Sequence, residues 1–273
     1  MARPIVTFTS DFGHQDWFVG VVHGVVLGLA PDAHVVDLHH GIQPGAIGRG
    51  AFVLEAAAPD FPPGTVHLAV VDPGVGTDRR ALAVSARGQF FVGPDNGLLE
   101  WALAAPDAIV HSLTEEQWFR RPVSRTFHGR DVFAPVAAHL ARGVPVSTFG
   151  ERVRNPVRLQ KPQPVLHDGA LEGHVVAIDR FGNALTDLTA ETLVKAFGSD
   201  AQDEQFEISL FERSIHGLAR SYGDAPVGTL VAILGSSGRI EIAQVGGDAA
   251  ERLGLGERDP VLVRLRGESA QLP

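Results

Sequence analysis

The segment Thr126-Phe127-His128-Gly129-Arg130-Asp131 sets an imidazole, a guanidinium and a carboxylate around one glycine. Together these groups could move a proton and stabilise charge on an oxygen. Charged side chains are rarely buried without partners, so such a cluster is either a solvated loop or a polar site. Two similar clusters lie upstream, Thr9-Ser10-Asp11-Phe12-Gly13 and Val71-Asp72-Pro73-Gly74-Val75-Gly76-Thr77-Asp78-Arg79-Arg80. Acidic, glycine-containing turns that follow hydrophobic segments suggest one shared site on an α/β sheet.

Each of these residues also has a plainer reading. Asp11 could cap the following helix through backbone N–H groups. Asp72-Pro73-Gly74 could be an ordinary turn, since all three residues favour turns for local reasons. Against that stands Arg79, which the loop of Gly74, Gly76 and Thr77 can bring back to Asp72; Arg80 reads as a solvated surface charge. His128 could be a hydrogen-bonded structural histidine, and Asp95-Asn96-Gly97 a turn. His39-His40 would point apart on a strand, which argues against a shared metal. Further along, Asp179-Arg180-Phe181-Gly182-Asn183 reads as a hairpin turn in which Phe181 would suit packing against a flat ligand. Gly235-Ser236-Ser237-Gly238, followed by Arg239-Ile240-Glu241-Ile242, is a hairpin signal with more hydroxyls than a turn requires.

The elements that must position these groups alternate in type. Ile5 to Thr9 is a short β-branched run, as expected of a buried parallel strand. A helix is predicted from about Asp16 to Ala30, ending before Pro31. In it Gly20, Gly24 and Gly28 line one face, which predicts a close approach to the sheet, since each glycine costs roughly 1 kcal/mol relative to alanine. His34 to Leu38 and Thr65 to Val71 read as strands, Ile47 to Ala58 as a helix, Ala81 to Ala86 with Gln89 to Val92 as a hairpin, and Asp131 to Ala141 as a helix. Strand–helix alternation predicts an α/β domain over residues 1–158, with a mainly parallel sheet and helices on both faces. Ligands of such sheets bind at the carboxyl ends of the strands. After a proline-bearing linker around Glu151 to Leu171, short Val-, Ile- and Leu-rich runs recur at even intervals. These are Gly173 to Ile178, Ala184 to Leu188, Gln205 to Leu210, Leu230 to Leu234, Arg239 to Val245 and Pro260 to Leu265. They predict an all-β, barrel-like domain over residues 159–273.

Composition narrows the function. The chain has 273 residues, 44% of them hydrophobic and 20% charged, which is the balance of a globular protein. A formal net charge of −9 argues against a nucleic-acid partner, because phosphate binding needs clustered Lys and Arg. The absence of cysteine rules out disulfides, thiolate nucleophiles and Cys-ligated zinc. No secretory signal or membrane span is recognisable, so a cytoplasmic protein is expected. The glycine-rich phosphate loops, H-E-x-x-H and the G-x-S-x-G elbow are also missing from the sequence.

Taken together and in order, six motifs resemble the S-adenosylmethionine hydroxide adenosyltransferases, hydrolase relatives of the fluorinases and chlorinases. They are Thr9 to Gly13, Val71 to Thr77, Gly93-Pro94-Asp95-Asn96-Gly97, Phe127 to Asp131, Asp179 to Asn183 and Ser236 to Glu241. The resemblance implies an α/β domain followed by a β-barrel domain, assembled as a homotrimer with the active site at the subunit interface. It implies hydrolysis of S-adenosylmethionine to adenosine and methionine by water or hydroxide attack at the ribose 5′ carbon, with no cofactor and no metal. The family's Asp–Arg–His triad falls on Asp72, Arg79 and His128, and its ribose-binding aspartate on Asp11. Its other adenosine and methionine contacts fall on Asp179, Asn183, Ser236 and Glu241, with Tyr222 and Val245 aligned more loosely. The halogenating relatives carry a tyrosine where this chain has Asp72, which places it on the hydrolase side.

The chemistry suits these residues independently. Methionine leaves a sulfonium as a neutral thioether, so no general acid or metal is needed to help it go. What remains is to make an oxygen nucleophile and hold it in line with the carbon–sulfur bond. The sequence leaves open whether His128 or Asp72 is the base. Two other classes stay in view: a non-catalytic S-adenosylmethionine- or adenosine-binding protein, and a metal-dependent phosphoesterase using Asp11, Asp72, Asp95 and His128.

Overall fold

The computed structural model describes residues 3–266, which divide into two compact units between Gln160 and Lys161. In the first unit the strands are β1 (Ile5–Ser10), β2 (His34–His39), β3 (Val66–Val70), β4 (Ala81–Ala86), β5 (Gln89–Pro94) and β6 (Ile109–Ser112). The helices are α1 (Phe18–Leu29), α2 (Ile47–Ala57), α3 (Glu100–Leu103) and α4 (Ala134–Ala141). One sheet carries the order β2-β1-β3-β5-β4-β6. β2, β1, β3 and β5 run parallel, while β4 is antiparallel to both its neighbours, so the sheet is mixed. The departure is local: the tight Arg87-Gly88 turn between β4 and β5 forces an antiparallel pair.

Helices cover both faces, as the alternation predicts. Val19, Val22 and Val26 of α1 and the apolar face of α4 pack with Val6, Phe8 and Leu68 in one core cluster. Leu54 of α2 and Ala102 and Leu103 of α3 pack with Ala69, Leu82 and Phe91 on the other side. Gly20, Gly24 and Gly28 do not seat α1 on the sheet. All three are exposed, and a Cβ on any of them would meet nothing within 4 Å. The valines, spaced at i, i+3 and i+7, are the packed stripe instead.

The second unit holds β7 (Val165–His167), β8 (Ala170–Ile178), β9 (Ala184–Thr189), β10 (Phe206–Leu210), β11 (Arg213–His216), β12 (Leu218–Ala219), β13 (Leu230–Leu234), β14 (Arg239–Gln244) and β15 (Pro260–Leu265). They form a sheet of order β11-β10-β15-β8-β9-β14-β13-β12, with β7 added on β8. Its two end strands, β11 and β12, are separated in the chain by Gly217 alone, so the sheet curls until its edges adjoin. The unit is not all-β. It also contains α5 (Ala190–Phe197), opened by a Thr189–Thr192 capping box, and α6 (Ala249–Leu253), capped by the Asp248 carboxylate on Glu251 N–H.

One core group of the first unit makes the fold sensitive to acid. His67 on β3 is fully buried, stacked on Phe91, with Nδ1 2.8 Å from Thr7 Oγ1 and its other ring nitrogen without an aligned partner. Burial lowers its pKa from 6.5 to about 4, outweighing a smaller upward pull from Gln89. The unfolded chain therefore takes up a proton below pH 6.5 that the folded chain refuses down to about pH 4. That linkage should remove on the order of 3 kcal/mol of stability as pH falls through this window. Urea denaturation of the wild type and His67→Gln at pH 7 and pH 4 should show the larger loss in the wild type; equal losses would refute the assignment.

Candidate active site

The chain crosses the first sheet in a way that opens a crevice. β2 lies on one side of β1 and β3 on the other, so the strand order reverses between β1 and β3. At such a switch the loops leave the carboxyl ends of neighbouring strands in opposite directions, and ligands bind between them. Asp11 follows β1 and Asp72 follows β3, one on each side of that point. Asp11 caps no helix: α1 begins at Phe18 without a side-chain cap. Its Oδ2 accepts instead from Gly45 N–H at 2.8 Å. Gly45 has φ +76° and a Cβ there would lie 3.7 Å from Pro73, so this loop is wedged between the turns of Asp11 and Asp72.

The loop after β3 returns on itself and delivers Arg79 to Asp72. Gly76 makes the return possible, since it has φ +78° and a Cβ would meet Arg125 O at 2.3 Å. Arg79 Nε lies 2.9 Å and 3.0 Å from the two Asp72 oxygens, and Nη2 makes a very short contact with Oδ2. The same Nη2 donates to His128 Nδ1 at 2.8 Å. Arg79 is thus shared between a carboxylate and an imidazole, and its guanidinium lies over the buried Phe133 ring, 5.2 Å from the centroid. The side chains of Asp72 and Arg79 are only 5% and 11% exposed, so water screens the pair weakly.

His128 opens a five-residue π-helical turn, Gly129–Phe133, that leads into α4. Such turns are uncommon and redirect side chains where they occur. Gly129 is fitted against Phe12 and Phe127, whose ring atoms would stand 3.1 Å and 3.4 Å from a Cβ. Behind it Asp131 is fully buried and accepts from Arg130 at 2.7 Å and 2.8 Å, Arg120 at 3.1 Å and Ser124 N–H at 2.9 Å. Burial pulls the Asp131 pKa upward, but these donors outweigh it and hold the carboxyl below its ordinary value. For His128, burial and then the Arg79 charge lower the pKa, against an upward pull from Asp72 and Asp131.

Two neighbouring groups turn out to be supports. Arg80 is not a free surface charge. It donates to Asp95 Oδ2 at 2.6 Å and to Asn155, while Asp95 Oδ1 accepts Val157 N–H at 2.7 Å. Asn96 donates to Val71 O at 2.9 Å and buttresses the end of β3. Asp72 and Asp95 are each engaged by an arginine, which would compete with the metal that the phosphoesterase reading requires.

The second unit gathers its own polar group. Asp179 Oδ1 accepts the N–H of Phe181 and Asn183 at 2.8 Å and 2.9 Å, and Oδ2 accepts Asn183 Nδ2 at 2.9 Å. Glu241, on the neighbouring β14, is buried and accepts from Tyr222 O–H at 2.9 Å. Gly235 leaves room for this carboxylate, since a Cβ there would meet Glu241 Oε1 at 1.9 Å and displace it. Burial, followed by the Glu241 bond and the charges of Glu241 and Asp179, pushes the Tyr222 pKa up to about 12. Burial also raises the Glu241 pKa, with Asp179 adding to the rise and Tyr222 opposing it. Phe181 stands 76% exposed beside this cluster, and Ser236 is exposed in the turn before β14. Val245 packs with Val231, Ile233 and Ala243 in a small apolar cluster, on the strand face that Glu241 shares by alternation.

The comparisons with known proteins agree with one another. The family model for the SAM hydroxide adenosyltransferase N-terminal domain matches residues 6–150, and that for the C-terminal domain residues 173–262. The chain belongs to the SAM hydroxide adenosyltransferase family. It is 41% identical to an (R)-S-adenosyl-L-methionine hydrolase of Salinispora arenicola, over 96% of this chain and 98% of the relative. A fluorinase of Nocardia brasiliensis is further off, 29% identical over 89% of this chain and 90% of the relative. Among solved structures, an uncharacterized conserved protein from Thermotoga maritima superposes with a TM-score of 0.89 at 34% identity, covering 95% of this chain and 99% of that one.

Within this family member, the sequence reading leaves out Gly45 and Phe133, which hold Asp11 and Arg79. Neither residue type signals such a role, and only the folded contacts reveal it. The shared guanidinium has a measurable consequence. Arg79→Ala removes the charge that depresses His128 while Asp72 and Asp131 go on raising it, so the His128 pKa should rise. Histidine NMR titration of the variant checks this, and an unchanged or lower value would refute the assignment of Arg79 as a charge that depresses His128.

Proposed function

We propose that this protein hydrolyses (R)-S-adenosyl-L-methionine to adenosine and L-methionine, with water attacking the ribose 5′ carbon. The observation that carries this reading is the Asp72–Arg79–His128 chain, set at the switch point of the sheet in a member of this family. Naming of the Salinispora arenicola relative as an (R)-S-adenosyl-L-methionine hydrolase supports the substrate and its sulfonium configuration.

The hydrogen bonds favour a division of roles. An arginine only donates, so the Arg79 contact makes His128 Nδ1 an acceptor. A neutral His128, favoured by its lowered pKa, then carries its proton on Nε2 and offers it to the oxygen of the attacking water. Asp72 is left as the base. As the oxygen–carbon bond forms, the water proton passes to the Asp72 carboxylate. The carbon–sulfur pair leaves with methionine as a neutral thioether, and no leaving-group acid is required. The Arg79 cation steadies the negative charge that grows on the oxygen. A carboxylate at this position would also repel a halide ion, which favours water over halide as nucleophile.

Asp11, whose Oδ2 takes only one N–H from Gly45, has lone pairs left for ribose hydroxyls. Asp179, Asn183, Tyr222, Ser236 and Glu241 make an acceptor-rich wall suited to the ammonium of methionine and the donors of adenosine, with Phe181 as a flat face for the base and Val245 as apolar backing. We assign these contacts to a homotrimer in which one copy's first unit and a neighbour's second unit complete each site, a closed heterologous ring. A fully active monomer in sedimentation at assay concentration would overturn the shared site.

Chromatography after incubation with S-adenosylmethionine in isotopically labelled water should yield methionine and adenosine labelled at the 5′ oxygen. Unlabelled adenosine would sink direct displacement. Asp72→Asn, Arg79→Ala and His128→Ala should each lower kcat by roughly 10²–10⁴-fold with KM little changed. His128→Gln, which keeps an N–H near the Nε2 position, should retain more of the rate than Asp72→Asn; the reverse order would make His128 the base.

A further inference from the structure

We propose that His40 is a positioning residue for substrate binding, gripping the turn that carries Asp11 through both its ring and its carbonyl. The inference rests on the reading of Asp11 as the ribose-binding carboxylate. His40 follows β2 and is 1% exposed. Its Nδ1 lies 2.7 Å from the hydroxyl of Ser10, the fully buried residue before Asp11. Its carbonyl accepts Gly13 N–H at 2.8 Å, two residues after Asp11. The turn is held at both ends by one residue.

The tautomer follows from the neighbours. Asp37 Oδ1 stands 3.0 Å from His40 Nε2, at ion-pair distance though off the line of a hydrogen bond, and its charge favours a proton on that nitrogen. Nδ1 is then the acceptor, and the Ser10 O–H donates to it. The same oxygen accepts Phe12 N–H at 3.3 Å, so the hydroxyl is satisfied on both sides of Asp11. Burial lowers the His40 pKa and keeps the ring neutral, with His14 and His23 adding to that effect and Asp37 opposing it. Phe8 and His14 meet the ring edge-on, with centroids 4.6 Å and 5.2 Å away, so it has little room to rotate.

The rest of the loop completes the grip. Five residues past His40, Gly45 N–H binds the Asp11 carboxylate itself at 2.8 Å. The 40–45 loop thus fixes the backbone of the turn at its two ends and the side chain at its tip. A buried polar pair such as Ser10–His40 adds little net stability compared with a well-packed apolar pair. What it adds is direction, and the direction it sets is that of Asp11.

The test is a double-mutant cycle between Ser10→Ala and Asp11→Ala, read as KM and kcat for S-adenosylmethionine and as adenosine affinity by calorimetry. Ser10→Ala alone should raise KM and weaken adenosine by about three- to tenfold, the span of one buried hydrogen bond, with kcat nearly unchanged. In the Asp11→Ala background it should add nothing, because the group it positions is gone. His40→Asn, which can place an oxygen near the former Nδ1, should recover part of the affinity that His40→Leu loses. Additive effects, an unmoved KM in Ser10→Ala, or equal affinities in the two His40 variants would overturn the inference while leaving the hydrolase reading intact. A wild type that neither consumes S-adenosylmethionine nor binds adenosine would overturn both.

Discussion

A single guanidinium holds the candidate site together. Arg79 has a carboxylate on one edge, an imidazole on the other and an aromatic ring beneath it; the carboxylate comes from its own loop, the imidazole and the ring from the π-helical turn. Charges this sheltered are costly to desolvate and are tolerated only with partners in good geometry. Removing one partner of such a pair typically destabilises by about 3–5 kcal/mol, because the other charge is left uncompensated. The loop after β3, the π-helical turn and the Phe133 face are therefore bound into one arrangement. Glycine at position 76 follows from the same demand, since only a residue without a side chain lets the loop return past the Arg125 carbonyl.

The second unit solves a different problem. Asp179 is close enough for its charge to be felt at Glu241, yet one is wrapped in donors and the other is buried under a tyrosine hydroxyl. Two acids brought together would repel. The amide and hydroxyl donors around them offset that repulsion, while burial, with a smaller push from Asp179, raises the Glu241 pKa. A cationic ligand placed between them would relieve that repulsion further.

Much of this was legible in the sequence where a pattern had a physical cause. The strand runs of both units are apolar because they are buried, and the acidic turns after β1 and β3 are polar because they end at the mouth of a parallel sheet. The motif around Phe127 to Asp131 signals its polar environment directly. Elsewhere the signals were ambiguous or too short. The glycines of α1 recur at helical spacing whether they face the sheet or solvent, and only the valine stripe decides between the two. Asp11 and Arg80 carry residue types equally at home in caps or on surfaces; their partners, Gly45 and Asp95, lie 34 and 15 residues away. Helices α5 and α6 span eight and five residues, too few for a period to emerge from composition.

The strand order of the second unit bears on how the molecule is made. β15, the last strand described, does not lie at an edge; it sits between β10 and β8, pairing with both. β8 begins at Ala170 and β15 at Pro260, so the middle of this sheet joins segments far apart in the chain. Such long-range pairing is slow, because a large loop must close before any contact rewards it. On the ribosome, the first unit can complete its sheet while later residues are still being added. The second must wait with β8 and β10 unpaired along one edge until the final strand emerges. That interval, in which apolar strands stand open, is when this chain is most exposed to association with other nascent chains.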